Sequence, residues 1–109
     1  MKPSYDIVVL ELASRDVQEQ FDYLRQRSPT GAESWYEVYL SALENLKLDP
    51  LGPGVAPENY QVEDEVRQVL FKTRRGFPYR ILYTIVASEV RILRVRGPGQ
   101  DLLGPQELA

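Results

Sequence analysis

The spacing of apolar residues changes twice along the chain. Ile7, Val8, Val9 and Leu10 form a short, mostly β-branched run that predicts a strand over Tyr5 to Leu12. The period then becomes helical. Val17, Phe21 and Leu24 fall at i, i+4 and i+7, with Ser14 placed to cap the helix and Asp16 in its first turn. Pro29 disfavours a helical residue before it, so this helix should stop near Ser28. A second helix is expected from Thr30 to Leu48, where Ala32, Trp35, Tyr39, Ala42 and Leu46 repeat at +3 and +4 and Tyr36, Leu40 and Leu43 widen the stripe. Residues 49–60 hold three prolines and two glycines and read as a loop. Three strands follow, Val66 to Thr73, Tyr79 to Ala87 and Val90 to Arg96. Turns are expected at Gly76-Phe77-Pro78 and Ser88-Glu89.

The predicted order is β-α-α-β-β-β, an α+β fold. Short connections make the helices an antiparallel hairpin and the last three strands an antiparallel meander. The apolar stripe of the hairpin needs one face of the sheet to bury against, which leaves the other face open. Parity does not say which face is which. Tyr79, Ile81, Tyr83 and Ile85 share one side of their strand, Arg80, Leu82, Thr84 and Val86 the other, and both sets are fairly apolar. Pro98-Gly99 ends regular structure, so residues 98–109 read as a loose tail, with Leu102-Leu103 a short anchor.

At 109 residues the whole chain, 1–109, is expected to form one domain. A core of that size leaves little room for a deep enclosed pocket, so function should sit on an open surface. The absence of cysteine and histidine removes thiolate chemistry, the usual general base and the commonest zinc ligands. No metal or cofactor is expected. No apolar run approaches the roughly 18 residues of a membrane span, and Met1 to Tyr5 lacks the features of a signal peptide. The expected compartment is the cytoplasm, with no membrane partner.

The net charge of −3 conceals a division. Residues 1–65 carry five bases against thirteen acids, a net −8, and residues 66–97 carry eight bases against one acid, a net +7. The tail adds two acids. A basic C-terminal sheet points to an anionic partner.

Three segments carry a family likeness: Phe77-Pro78-Tyr79-Arg80-Ile81-Leu82-Tyr83, Val90-Arg91-Ile92-Leu93-Arg94-Val95-Arg96, and Gln100-Asp101-Leu102-Leu103. With the helical hairpin and the Asp49-Pro50 loop, the chain over residues 5–103 resembles the RelE/ParE superfamily of type II toxins. The resemblance implies a toxin held inactive by a cognate antitoxin. RelE-like members cut mRNA in the ribosomal A site, whereas ParE-like members poison DNA gyrase and have no nuclease activity. A toxin-derived domain that only binds a partner is a third reading.

The first expectation is a ribosome-dependent, metal-independent mRNA endonuclease, with the gyrase inhibitor and the binding domain as alternatives. For it the resemblance places Arg80 at the family's Tyr-Arg-aliphatic position, stabilising the phosphorane. Arg96 would hold phosphate and Lys72 would assist proton transfer. Lys72 and Arg74, two apart on a predicted strand, should share a face. Arg74, Arg75, Arg94, Tyr79 and Tyr83 are candidate contacts to RNA or another target. Many family members continue past this last strand with a His-Gly-basic-basic run. Here that stretch is Gly97-Pro98-Gly99-Gln100. Asp16, Glu19 and Asp22 read as a solvated helix face.

Overall fold

The computed structural model of the chain describes residues 4–61, 65–100, 102–104 and 107. β1 (Asp6–Val9) is followed by α1 (Glu11–Arg27), α2 (Pro29–Leu48), a 3-10 turn at Pro57–Gln61, β2 (Arg67–Phe71), β3 (Tyr79–Val86) and β4 (Glu89–Arg96). This is the expected β-α-α-β-β-β order. The sheet runs β1-β4-β3-β2, with β2, β3 and β4 antiparallel and β1 parallel to β4 at one edge.

The first helix starts earlier than its sequence suggests. Leu10, not Ser14, is the N-cap residue, and it offers no side-chain cap. Its backbone N–H instead donates to the Ile92 carbonyl at 3.0 Å, so pairing to β4 sets the start of the helix. Glu11 lies in the first turn, near the positive helix end. A single residue, Ser28, joins the two helices. Its N–H closes α1 on the Leu24 carbonyl at 2.8 Å, and its Oγ accepts from the Gly31 N–H at 3.1 Å to cap α2. Pro29 then takes the first helical position, where its missing N–H costs nothing.

Packing decides the sheet parity. Tyr79, Ile81, Tyr83 and Ile85 face the helices, together with Val90, Ile92 and Val95 of β4. Trp35 is the aromatic hub of this core, with ring centroids 5.3 Å from Tyr79, 5.6 Å from Phe71 and 6.1 Å from Tyr39. A register shift between Leu82 and Tyr83 places one extra residue, Leu93, in β4 and lets Val95 stay on the core side.

The opposite face is not open as expected. Ala56 and Val66 from the loop, Leu82 from β3 and Leu103 from the tail form a second buried cluster there. The tail is therefore tied down at Leu103, which is fully buried, and is not uniformly loose. Asp101, Pro105, Gln106, Leu108 and Ala109 lie outside the described residues.

Because β1 pairs only with Glu89 to Ile92, the far half of β4 has no strand beside it on that edge. Helix α1 fills the gap. Asp16 Oδ2 accepts from the Val95 N–H at 3.0 Å, and Gln20 Nε2 donates to the Val95 carbonyl at 2.9 Å. Side chains thus satisfy backbone groups that would otherwise present a pairing edge.

Candidate functional site: cations of the sheet and the hairpin tip

Arg80 lies on the face away from the helices. Its guanidinium donates to both carboxylate oxygens of Glu58, at 2.9 and 2.8 Å, and to Gln68 Oε1 at 3.0 Å. Glu58 is supplied by the 3-10 turn and is completely buried. The Leu103 N–H also donates to Glu58 Oε2 at 3.3 Å. Burial pushes the Glu58 carboxyl up. The Arg80 hydrogen bonds, the backbone N–H groups of Glu58 and Leu103 and the Arg80 charge outweigh it, so the carboxyl ends below its ordinary value. The loop, β3 and the tail therefore meet at one bidentate ion pair.

Arg94 is held in the same way by a different element. Its Nε and one terminal nitrogen donate to Asp16 at 2.7 and 2.9 Å, and the other terminal nitrogen donates to the Glu107 carbonyl at 3.0 Å. Hydrogen bonding to Asp16 raises the Arg94 pKa further, against the opposing effect of burial. Asp16 is thus a buried tie between α1 and β4, not part of a solvated helix face. Arg67 pairs with Glu65 at 2.8 Å and Arg91 with Glu89 at 3.1 Å. Acids from outside the strands thus reach Arg67, Arg80 and Arg94, and Arg91 pairs within its own strand, so the charge division along the chain is offset in the body of the sheet.

The proposed site residues consequently separate. Arg80 and Arg96 stand directly opposite each other in the β3–β4 register and are brought together. Arg94 is taken by α1. Tyr83 is fully buried and donates its hydroxyl to the Pro50 carbonyl at 2.6 Å, so it cannot contact a target in this arrangement. Burial raises its pKa to about 12. Tyr79 packs between Phe71 and Trp35 in the core. Lys72 and Arg74 do not share a strand face. β2 ends at Phe71, and Lys72, Arg74 and Arg75 all lie in the β2–β3 connection, exposed. Among the described residues these three make no ion pair.

Glu58 and Asp16, the acids that lock the two strand arginines, went unrecognised in the sequence. Glu58 sits in a proline-rich loop with no periodicity, and Asp16 has the spacing of an ordinary exposed helix residue. The only available signal was the excess of acids in the first half of the chain. No group of three or more acidic residues that could hold a metal ion occurs among the described residues, and none of their helices is long and apolar enough to cross a membrane.

A helical hairpin laid on one face of a small four-stranded sheet defines the class of α+β fold to which the chain belongs. The chain shares this fold with a chain of the chromosomal ParDE TA system from P. aeruginosa at a TM-score of 0.67. The two are 17% identical, and the match covers 87% of this chain and 97% of that one. Residues 7–102 match the family of ParE toxins of the type II toxin-antitoxin system parDE. The chain belongs to the ParE toxin family. Its expected partner is accordingly an antitoxin. No curated protein matches the sequence.

Proposed function

We propose that this toxin acts in the cytoplasm by binding DNA gyrase through its surface, and not by cutting mRNA on the ribosome. The observation that carries this reading is the state of Arg80. Metal-free cleavage of RNA needs a cation free to meet the charge that develops on the phosphorane. The guanidinium at that position is already engaged by a buried carboxylate, on both of its oxygens, and by a glutamine. Freeing it means leaving Glu58 buried without its counter-charge, which costs several kcal/mol. The sequence adds support, since the stretch after β4 has no histidine or basic residue. Lys72 is exposed and sits in a connection, where nothing orients it as a base.

The antitoxin has a suitable seat on the helical hairpin. A groove of about 420 Å³ between α1 and α2 is lined by Val17, Phe21, Tyr36, Tyr39 and Leu40, of which Tyr36 and Leu40 are exposed. An amphipathic helix of the antitoxin would bury its apolar face there.

Removing the ion pair as a unit tests the function. The double variant Arg80→Met with Glu58→Leu should still inhibit supercoiling by purified gyrase at wild-type concentrations and should leave a cell-free translation reaction running. If wild-type protein instead cuts mRNA in the ribosomal A site, leaves supercoiling untouched, and loses cleavage in the double variant, the nuclease reading is right and this one is wrong.

A further inference from the structure

We propose that the β2–β3 tip and the cavity beneath it form the anchor site for an acidic segment of the toxin's protein target, with one large apolar side chain of that segment entering the cavity. The inference rests on the binding reading above and names the surface that would do it.

The cavity opens where α1 meets α2. Leu24, Arg27, Trp35, Thr73, Phe77 and Tyr79 line it, and its volume is about 270 Å³. That is below the roughly 300–1,000 Å³ of sites for whole small molecules, and it suits a single side chain. Two features call for a polar partner as well as an apolar one. Trp35 is 2% exposed, yet its indole N–H has no hydrogen-bond partner among the described residues. A buried donor of this kind is normally satisfied, and a backbone carbonyl or carboxylate entering with the anchor would supply the acceptor. Phe77, in contrast, is 75% exposed at the mouth, an unusual position for a large aromatic in a small domain and a frequent one for an interface anchor.

The charged residue among those that line the cavity is basic, Arg27. Lys72, Arg74 and Arg75 occupy the tip on either side of lining residue Thr73, and Arg27 stacks over the Tyr23 ring at 4.4 Å. None of these four cations is in an ion pair among the described residues. Helix α2, whose N-terminus borders the cavity, has no acidic residue in its first turn. An apolar cavity with a hidden donor favours a peptide over a nucleic-acid backbone, whose phosphates need no such pocket.

Trp35 is the only tryptophan in the chain, so its fluorescence reports the cavity directly. The probe is a five-residue peptide with a central phenylalanine flanked by glutamates, titrated into the full chain. We expect a saturable change in Trp35 emission that weakens with added salt. Affinity should fall at least tenfold in Arg74→Glu/Arg75→Glu and in Phe77→Ala, all exposed positions whose replacement leaves the fold intact. A peptide with lysines in place of the glutamates should not bind. The same variants should lose at least tenfold in potency against gyrase supercoiling. An unchanged Trp35 signal, or variants as potent as wild type, overturns the anchor site and leaves the gyrase reading standing. A peptide response in a protein that does not inhibit gyrase sinks the gyrase reading and keeps the surface for another protein target. Saturation of the Trp35 signal by a single-stranded RNA that the acidic peptide cannot displace would overturn the proposal in favour of a nucleic-acid surface.

Discussion

The body of the sheet and the tip of its β2–β3 hairpin are built from the same basic stretch of chain and do opposite things with it. In the body, Arg80 and Arg94 reach Glu58 and Asp16, 22 and 78 residues away in sequence, and become ties between layers. At the tip, Lys72, Arg74 and Arg75 project into solvent with no ion pair among the described residues. The difference lies in the surroundings, since the residue types are alike. A strand position inside a two-layer domain is within reach of a loop or helix crossing the same face, whereas a turn that projects past the last strand residue is not. Positive charge in a strand therefore says little about ligands until its neighbours are known, and positive charge in a projecting turn says more.

The comparison fails if the strand arginines are not structural. Glu58→Ala leaves the Arg80 guanidinium partly buried without its carboxylate. It should lower unfolding free energy by about 3–5 kcal/mol, read as a large drop in the urea midpoint followed by Trp35 fluorescence. A change below about 0.5 kcal/mol would show that the pair holds nothing together.

Alkaline titration probes the buried tyrosines of the body. Burial raises both Tyr39, aided by the nearby Tyr36, and Tyr83 to about 12. In the unfolded chain they ionise near 10, so the stability they contribute is complete below that pH and is lost as pH rises toward the folded value. The loss should be about 2–3 kcal/mol for each, visible as cooperative unfolding that coincides with tyrosinate absorbance. The Glu58 carboxyl has the opposite sign. Its pKa is lowered, so its contribution is present at neutral pH and disappears as pH falls below the ordinary carboxylate range.

Replacing both members of the ion pair sharpens the result. Arg80→Met with Glu58→Leu removes two desolvated charges together, and pairs replaced this way are often neutral or better. The double variant should lie within about 1 kcal/mol of wild type in urea unfolding, well above the Glu58→Ala single variant. Least affected should be the tip. Lys72→Ala, Arg74→Ala and Arg75→Ala should each stay within about 0.5 kcal/mol, as exposed positions do, while reducing growth inhibition in cells. A tip variant that unfolds the protein would erase the distinction between the two regions.

Much of the architecture is readable from the order of residues alone. The period-3.6 stripe of Trp35, Tyr39, Ala42 and Leu46 is buried as the spacing implies, and the helical hairpin turns at Ser28 where Pro29 requires it. Those features are local, because the geometry of a helix or strand relates residues a few positions apart. The first cap falls elsewhere for a tertiary reason, since pairing of Leu10 to Ile92 outweighs the capping preference of Ser14.

The element order and the family likeness were therefore written in the sequence, because short-range periodicity and short motifs carry them. The strand parity, the second buried cluster under Leu103 and the pairing of Glu58 with Arg80 and of Asp16 with Arg94 were decided only by the tertiary structure. Each depends on groups distant in sequence meeting across a packed face, and two alternating apolar sides leave that choice to whatever the rest of the chain lays over them.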